Sequence, residues 1–142
     1  MGTATPMTPT LLYRIASGLL VLFAAGHTFG FLKFKAQTTE GEAVRKGMEE
    51  VSFKVGGKAY TYGGFHRGFG LYITVYLLFS AYLACHLGTM AQHAPAAIGL
   101  LGWMFCAVQL AGLVLSWKYF FPITAVFSAL VAVLTGWAAW LG

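Results

Sequence analysis

Eleven of the thirteen charged side chains in this 142-residue chain fall between Lys33 and Arg67. Outside that window only Arg14 and Lys118 carry charge, and there is no aspartate. A water-soluble domain needs charge over its whole surface, typically about a quarter of its residues, whereas this chain has 9%. The pattern predicts that lipid solvates most of the chain and that one polar insert sits in water.

A bilayer-crossing helix needs about 20 mainly apolar residues, and four stretches meet that length. They predict spans over residues 11–32, 67–88, 95–117 and 119–141, with a polar insert over 33–66. The expected fold is an all-α membrane protein. It is a four-transmembrane-helix bundle forming one domain over 1–142, with a short amphipathic helix and a β-hairpin between the first two spans. The first apolar run is about twice as long as a signal-peptide h-region and continues through Phe29-Gly-Phe31, so it reads as a retained span. Cys85 and Cys106 lie inside spans without C-x-x-C spacing and read as buried small hydrophobes.

Lysine and arginine set the expected orientation. Eight of the nine lie on the insert side, Lys118 among them, and Arg14 stands alone opposite. By the positive-inside rule the insert is cytoplasmic and both termini lie outside, in a multi-pass cell-membrane protein. The formal net charge of +5 then reflects membrane anchoring, and no nucleic-acid partner is expected.

The insert itself has pattern. Thr39 and Glu42 have capping-box spacing, and Ala43, Val44, Met48 and Val51 recur at helical spacing, predicting a helix over about Glu40–Glu50. The period then changes to two. Val51, Phe53 and Val55 precede Gly56-Gly57, and Lys58–Tyr62 follow, predicting a tight hairpin in which Phe53 faces Tyr60 and Val51 faces Tyr62. Gly63-Gly64 is expected to end the hairpin. Two strands alone are marginal in water, so the insert should rest on apolar support, as a cap over the bundle or as a foot on the membrane surface.

Small-x-x-x-small spacings at Gly26/Gly30, Gly64/Gly68 and Gly112/Ser116 predict close helix contacts. Trp117, Tyr119, Trp137 and Trp140 fit interfacial belts, and Trp103 is expected to pack more deeply.

Polar groups within spans carry the functional expectation, because they are costly in hydrocarbon. At about 1.5 Å rise per residue, His27, Tyr72, Thr74, Tyr76, Gln109 and Ser128 all fall toward the insert side of the bilayer centre. Converging faces would line a polar cavity able to hold a small apolar or lipid-like ligand. Interhelical hydrogen bonding is the competing reading of the same residues. Lys33, Lys35, His66 and Arg67 form a basic interfacial cluster suited to a phosphate or lipid headgroup. The four histidines differ in height, so bis-histidine haem ligation does not fit, and the spans lack carboxylates for zinc. No metal or cofactor is expected. Nor is there the carboxylate set or inverted repeat of an ion-coupled transporter, or a hydrolytic nucleophile–base motif.

Arg14-Ile-Ala-Ser-Gly-Leu-Leu-Val-Leu-Phe-Ala-Ala-Gly-His27 resembles the first span of DoxX-like bacterial four-span proteins, which open with an arginine, a glycine and an A-G pair in similar order. Tyr62-Gly-Gly-Phe-His-Arg-Gly-Phe-Gly-Leu71 resembles uncharacterised four-span bacterial inner-membrane proteins. The resemblance covers the first two spans and implies a four-helix bundle without an assigned activity. Three functions therefore stay open. The first is non-enzymatic binding of a lipid-like ligand. The second is service as an accessory or structural subunit, as a homodimer or in a larger membrane complex. The third is a small membrane enzyme using His27 as acid or base.

Overall fold

A computed structural model describes residues 8–142. The N-terminus, placed outside by the charge count, lies beyond the described residues. The described residues are mostly helical, with five α-helices and one two-stranded sheet. In order these are α1 (Pro9–Lys33), α2 (Thr39–Glu50), β1 (Ser52–Val55), β2 (Lys58–Thr61), α3 (Tyr62–His93), α4 (Gly99–Tyr119) and α5 (Pro122–Leu141), with a single 3-10 turn at Pro95–Ala97. The helices α1, α3, α4 and α5 are each long and apolar enough to cross a membrane.

Several boundaries differ from those the sequence predicts, each for a local reason. Thr38, not Thr39, caps α2: its Oγ1 accepts the Gly41 N–H at 3.1 Å. Glu42 therefore falls one residue beyond the capping-box position, and its carboxylate takes Arg45 instead. Gly63 and Gly64 do not break the chain, because α3 starts directly from β2. The Gly64 N–H is capped by Thr61 Oγ1 at 3.0 Å, which offsets the weak helix propensity of two glycines. The last long apolar helix starts at Pro122, where the sequence predicts a start at Tyr119. Phe120 and Phe121 are extended, and proline occupies the first turn of α5, where its missing N–H costs nothing.

The hairpin follows its predicted register. Phe53 pairs with Tyr60 and Val55 with Lys58, and the Tyr62 N–H donates to the Val51 carbonyl at 3.3 Å, one step past the strands. Gly56 and Gly57 have φ of 58° and 81°. Two successive positive φ angles define the type I′ turn that matches strand twist.

Contacts divide the chain into two compact units. The first joins the described part of Met1–Phe23 to Leu77–Gly142. Its core takes Leu12, Tyr13, Ala16 and Leu20 from α1 and Leu77, Ala81, Ala84 and Leu87 from α3. Phe105 and Cys106 of α4 join Val131, Ala132 and Ala138 of α5. Close approach falls at Gly88, where Thr10 O stands 3.2 Å from a notional Cβ, and at Gly102 and Gly136. The second unit is Ala24–Tyr76: the end of α1, the insert and the start of α3. Here the predicted glycine contacts are not formed. Gly26, Gly30 and Gly68 have nothing within 4 Å of a notional Cβ, nor has Gly112 in the first unit. Trp103, expected to pack, is 46% exposed.

Candidate functional site

The second unit brings His27, Thr28 and Phe31 of α1 against His66, Gly70 and Thr74 of α3. These sets have spacings of one and four residues on α1 and four and eight on α3, so each lies on one helical face. His27 Nε2 is 3.0 Å from the Gly70 carbonyl oxygen. A carbonyl only accepts, so Nε2 carries the proton. Thr28 Oγ1 lies 2.7 Å from the Ala24 carbonyl, which takes its single hydrogen. The Thr74 hydroxyl then donates to Thr28 Oγ1 at 2.8 Å, in preference to the Gly70 carbonyl at 3.4 Å.

Phe31 wedges into this arrangement. Its ring stacks on His27 at 5.9 Å and 13° and meets His66 at 5.4 Å. It occupies the space that a side chain at Gly70 would take, 2.3 Å from a notional Cβ. Phe31, Thr28 and Gly70 were not singled out by the sequence pattern. The available signal was an aromatic four residues after His27 on one helix and a glycine four residues after His66 on the other.

Tyr72 and Tyr76 take another direction. They are 72% and 37% exposed and continue a line begun by Phe65 and Phe69. Spacings of four, seven and eleven residues put all four on one face of α3. Among the remaining predicted residues, Gln109 and Ser128 are buried in the first unit. Ser128 and Ser116 hydroxyls pair at 3.2 Å between α5 and α4, and the Ser17 hydroxyl donates to the Ala81 carbonyl at 2.8 Å between α1 and α3. Gln109 Nε2 and the Tyr13 hydroxyl are buried without a hydrogen-bond partner among the described residues.

Six of the eleven charged side chains between Lys33 and Arg67 are paired with one another. Arg45 bonds Glu42, with Nε to Oε2 at 3.0 Å, and this bond holds the Glu42 carboxyl below its ordinary value. Lys46 stands 3.7 Å from Glu50. Arg67 donates to Glu49 at 2.7 Å, tying α3 to α2. All four residues of the predicted headgroup cluster are exposed. Arg67 is also paired with Glu49 and His66 lies against Phe31, whereas Lys33 and Lys35 have neither kind of contact among the described residues.

Two open surface recesses lie on α4 and the α4–α5 turn. One of about 630 Å³ is lined by Leu113, Val114, Trp117 and Lys118. The other, about 230 Å³, is lined by Ser116, Trp117, Phe120, Pro122 and Ala125. Neither includes a predicted ligand residue. Among the described residues, no three His, Cys, Asp or Glu side chains converge as a metal site would require.

No protein-family model, curated protein or solved structure matches the chain.

Proposed function

We propose that this chain is a multi-pass integral membrane protein acting as a non-enzymatic accessory subunit. Its four apolar helices cross the bilayer, and its insert lies on the cytoplasmic side. One observation carries this reading: polar groups within the spans are mostly spent on one another or on backbone, while the outward helix faces are apolar. His27 holds Gly70, Thr74 holds Thr28, Ser116 holds Ser128 and Ser17 holds Ala81. Such bonds knit helices in lipid. Meanwhile Leu22, Phe29, Val75, Leu100, Val114 and Val133 are each more than 60% exposed, a surface that lipid or an apolar partner must cover. His27, with Nε2 committed to a carbonyl, is poorly placed as a general base at that nitrogen.

A second reading rests on a separate observation. Among the described residues, Gln109 Nε2 and the Tyr13 hydroxyl lack partners, and unpaired polar groups are costly in an apolar medium. A lipid-like ligand with an acceptor oxygen would satisfy the Gln109 amide, the less completely buried of the two at 6% exposure. Crosslinking in native membranes followed by native mass spectrometry in mild detergent separates the two readings. A stoichiometric partner chain, or a second copy, supports the accessory role. A monomer carrying one tightly held lipid, lost on Gln109→Leu, refutes it in favour of ligand binding.

A further inference from the structure

The hairpin carries an aromatic face that runs without interruption onto α3. Phe53 meets Tyr60 at 6.1 Å, Tyr62 at 4.9 Å and Phe65 at 5.8 Å, and Phe65 meets Phe69 at 4.8 Å. Tyr60, Tyr62, Phe65 and Phe69 are each about half exposed, at 47–56%. The line then continues down α3 through Tyr72 and Tyr76. An exposed aromatic surface that begins on a polar insert and descends a membrane-length helix has one direction of travel, from headgroups into hydrocarbon.

Length fixes the depth. Helix α3 has 32 residues, about 48 Å at 1.5 Å per residue, against a hydrocarbon core of roughly 30 Å. About 18 Å of it therefore lies outside that core, and the charged Arg67, six residues into the helix, puts its first turns in that excess. The headgroup layer adds roughly 6 Å per side, which the Tyr62–Phe65 turn spans. The contact of Phe31 with His66 brings the end of α1 to the same level, so Lys33 and Lys35 emerge there.

Charge gives the occupant. Arg45, Lys46 and Arg67 are each paired with a glutamate of α2. Lys33, Lys35, Lys54 and Lys58 are exposed and, among the described residues, have no carboxylate within ion-pair distance. Lys58 lies across the strand pair from Val55, on the aromatic face, and Lys54 alternates onto the other side. The unneutralised cations of the insert thus flank the aromatic face at the height of the headgroups. We infer that the hairpin lies in the headgroup layer and that Lys33, Lys35, Lys54 and Lys58 bind anionic phospholipid, with Phe53, Tyr60, Tyr62 and Phe65 seated at the acyl boundary. This rests on the membrane reading above. It revises the predicted headgroup set by replacing His66 and Arg67 with Lys54 and Lys58.

The test uses the full chain in lipid nanodiscs of phosphatidylcholine alone or with phosphatidylglycerol. An environment-sensitive fluorophore is placed on Val55→Cys in a Cys85→Ser background, Cys106 being buried. Failure of the chain to enter nanodiscs refutes the membrane reading itself and is seen before any fluorescence is read. Once the chain is incorporated, the fluorophore should sit in an apolar environment in phosphatidylglycerol discs and move toward water in phosphatidylcholine discs. Each lysine contributes about fivefold to partition onto an anionic surface. Lys54→Gln with Lys58→Gln should therefore weaken phosphatidylglycerol retention roughly 25-fold and release the fluorophore. A water-exposed fluorophore in phosphatidylglycerol discs overturns the inference. So does burial that ignores both lipid charge and the two lysines, or burial that arises only on adding a partner protein.

Discussion

Alanine at Gly70 and at Gly68 should shift stability in opposite directions, although the two glycines are two residues apart on one helix. Glycine in a helix interior is about 0.8–1 kcal/mol worse than alanine, so the backbone alone favours both substitutions. At Gly68 nothing lies within 4 Å of the new methyl, and Gly68→Ala should stabilise by up to ~1 kcal/mol. At Gly70 the methyl would stand 2.3 Å from Phe31 Cζ and 2.5 Å from Cε1 and Cε2. Carbon atoms rest at roughly 3.5–4.0 Å, so the ring must retreat by more than an ångström. That retreat takes Phe31 off the His27 ring, on which it is stacked. Overpacking of this kind costs about 1–3 kcal/mol, which outweighs the gain in propensity. The expected net is up to ~2 kcal/mol of destabilisation, or a few degrees in melting temperature for a chain of this length.

Thermal unfolding in mild detergent can be followed with a thiol-reactive dye, because Cys106 is buried and Cys85 exposed. In a Cys85→Ser background the temperature-dependent signal is the uncovering of Cys106 alone. The decisive arm is the double-mutant cycle. In a Phe31→Ala background no ring remains to be displaced, and Gly70→Ala should lose its penalty. Equal effects of Gly68→Ala and Gly70→Ala would refute the reasoning, as would a Gly70 penalty that persists without Phe31.

Other expected outcomes test separate parts of the structure. Gln109→Leu removes a buried amide nitrogen that has no partner and should raise the melting temperature, the gain being on the order of 1 kcal/mol; a lower melting temperature would show that the amide is satisfied. Thr38→Val should cost α2 about 1 kcal/mol by deleting its cap, while Thr39→Val should cost only a few tenths, as read by amide exchange at Gly41. The Glu42 carboxyl is held low by Arg45, so its contribution is complete above the ordinary carboxylate pKa and is lost as pH falls through the lowered folded value. Protection in α2 should therefore fall only in that acidic window, and Arg45→Gln should abolish this pH dependence.

What was legible in the chain depended on how much register the residues themselves supply. In the hairpin, two glycines fix the turn, and a period of two leaves one pairing that keeps Phe53, Tyr60 and Tyr62 together. The end of α4 was less legible, because Phe120-Phe121 read as more apolar span and only Pro122 marks the new start. At α2 two adjacent threonines compete. The spacing to Glu42 favours Thr39, but that carboxylate has Arg45 as an alternative partner, and Thr38 takes the cap. The Phe31–Gly70 contact was not legible at all. Each helix reveals its own faces by period, whereas the axial offset between α1 and α3 is set by which bulky ring finds a gap.

The expectation of a single polar wall on α3 fails by the same period that makes helices readable. Depth along a helix and direction around it are independent, and depth alone grouped Tyr72, Thr74 and Tyr76. At 3.6 residues per turn, each residue advances about 100°, so Thr74 stands about 200° from Tyr72 and again from Tyr76. No one wall of α3 can present all three. The face that holds Thr74 also holds His66 and Gly70 and bonds to α1. The face that holds Tyr72 and Tyr76 continues Phe65 and Phe69 and is exposed. The polar residues of this helix thus divide into one set that joins helices and one aromatic set that meets the surroundings. A tyrosine whose ring lies in lipid with its hydroxyl toward the headgroups fits the second set as well as phenylalanine does.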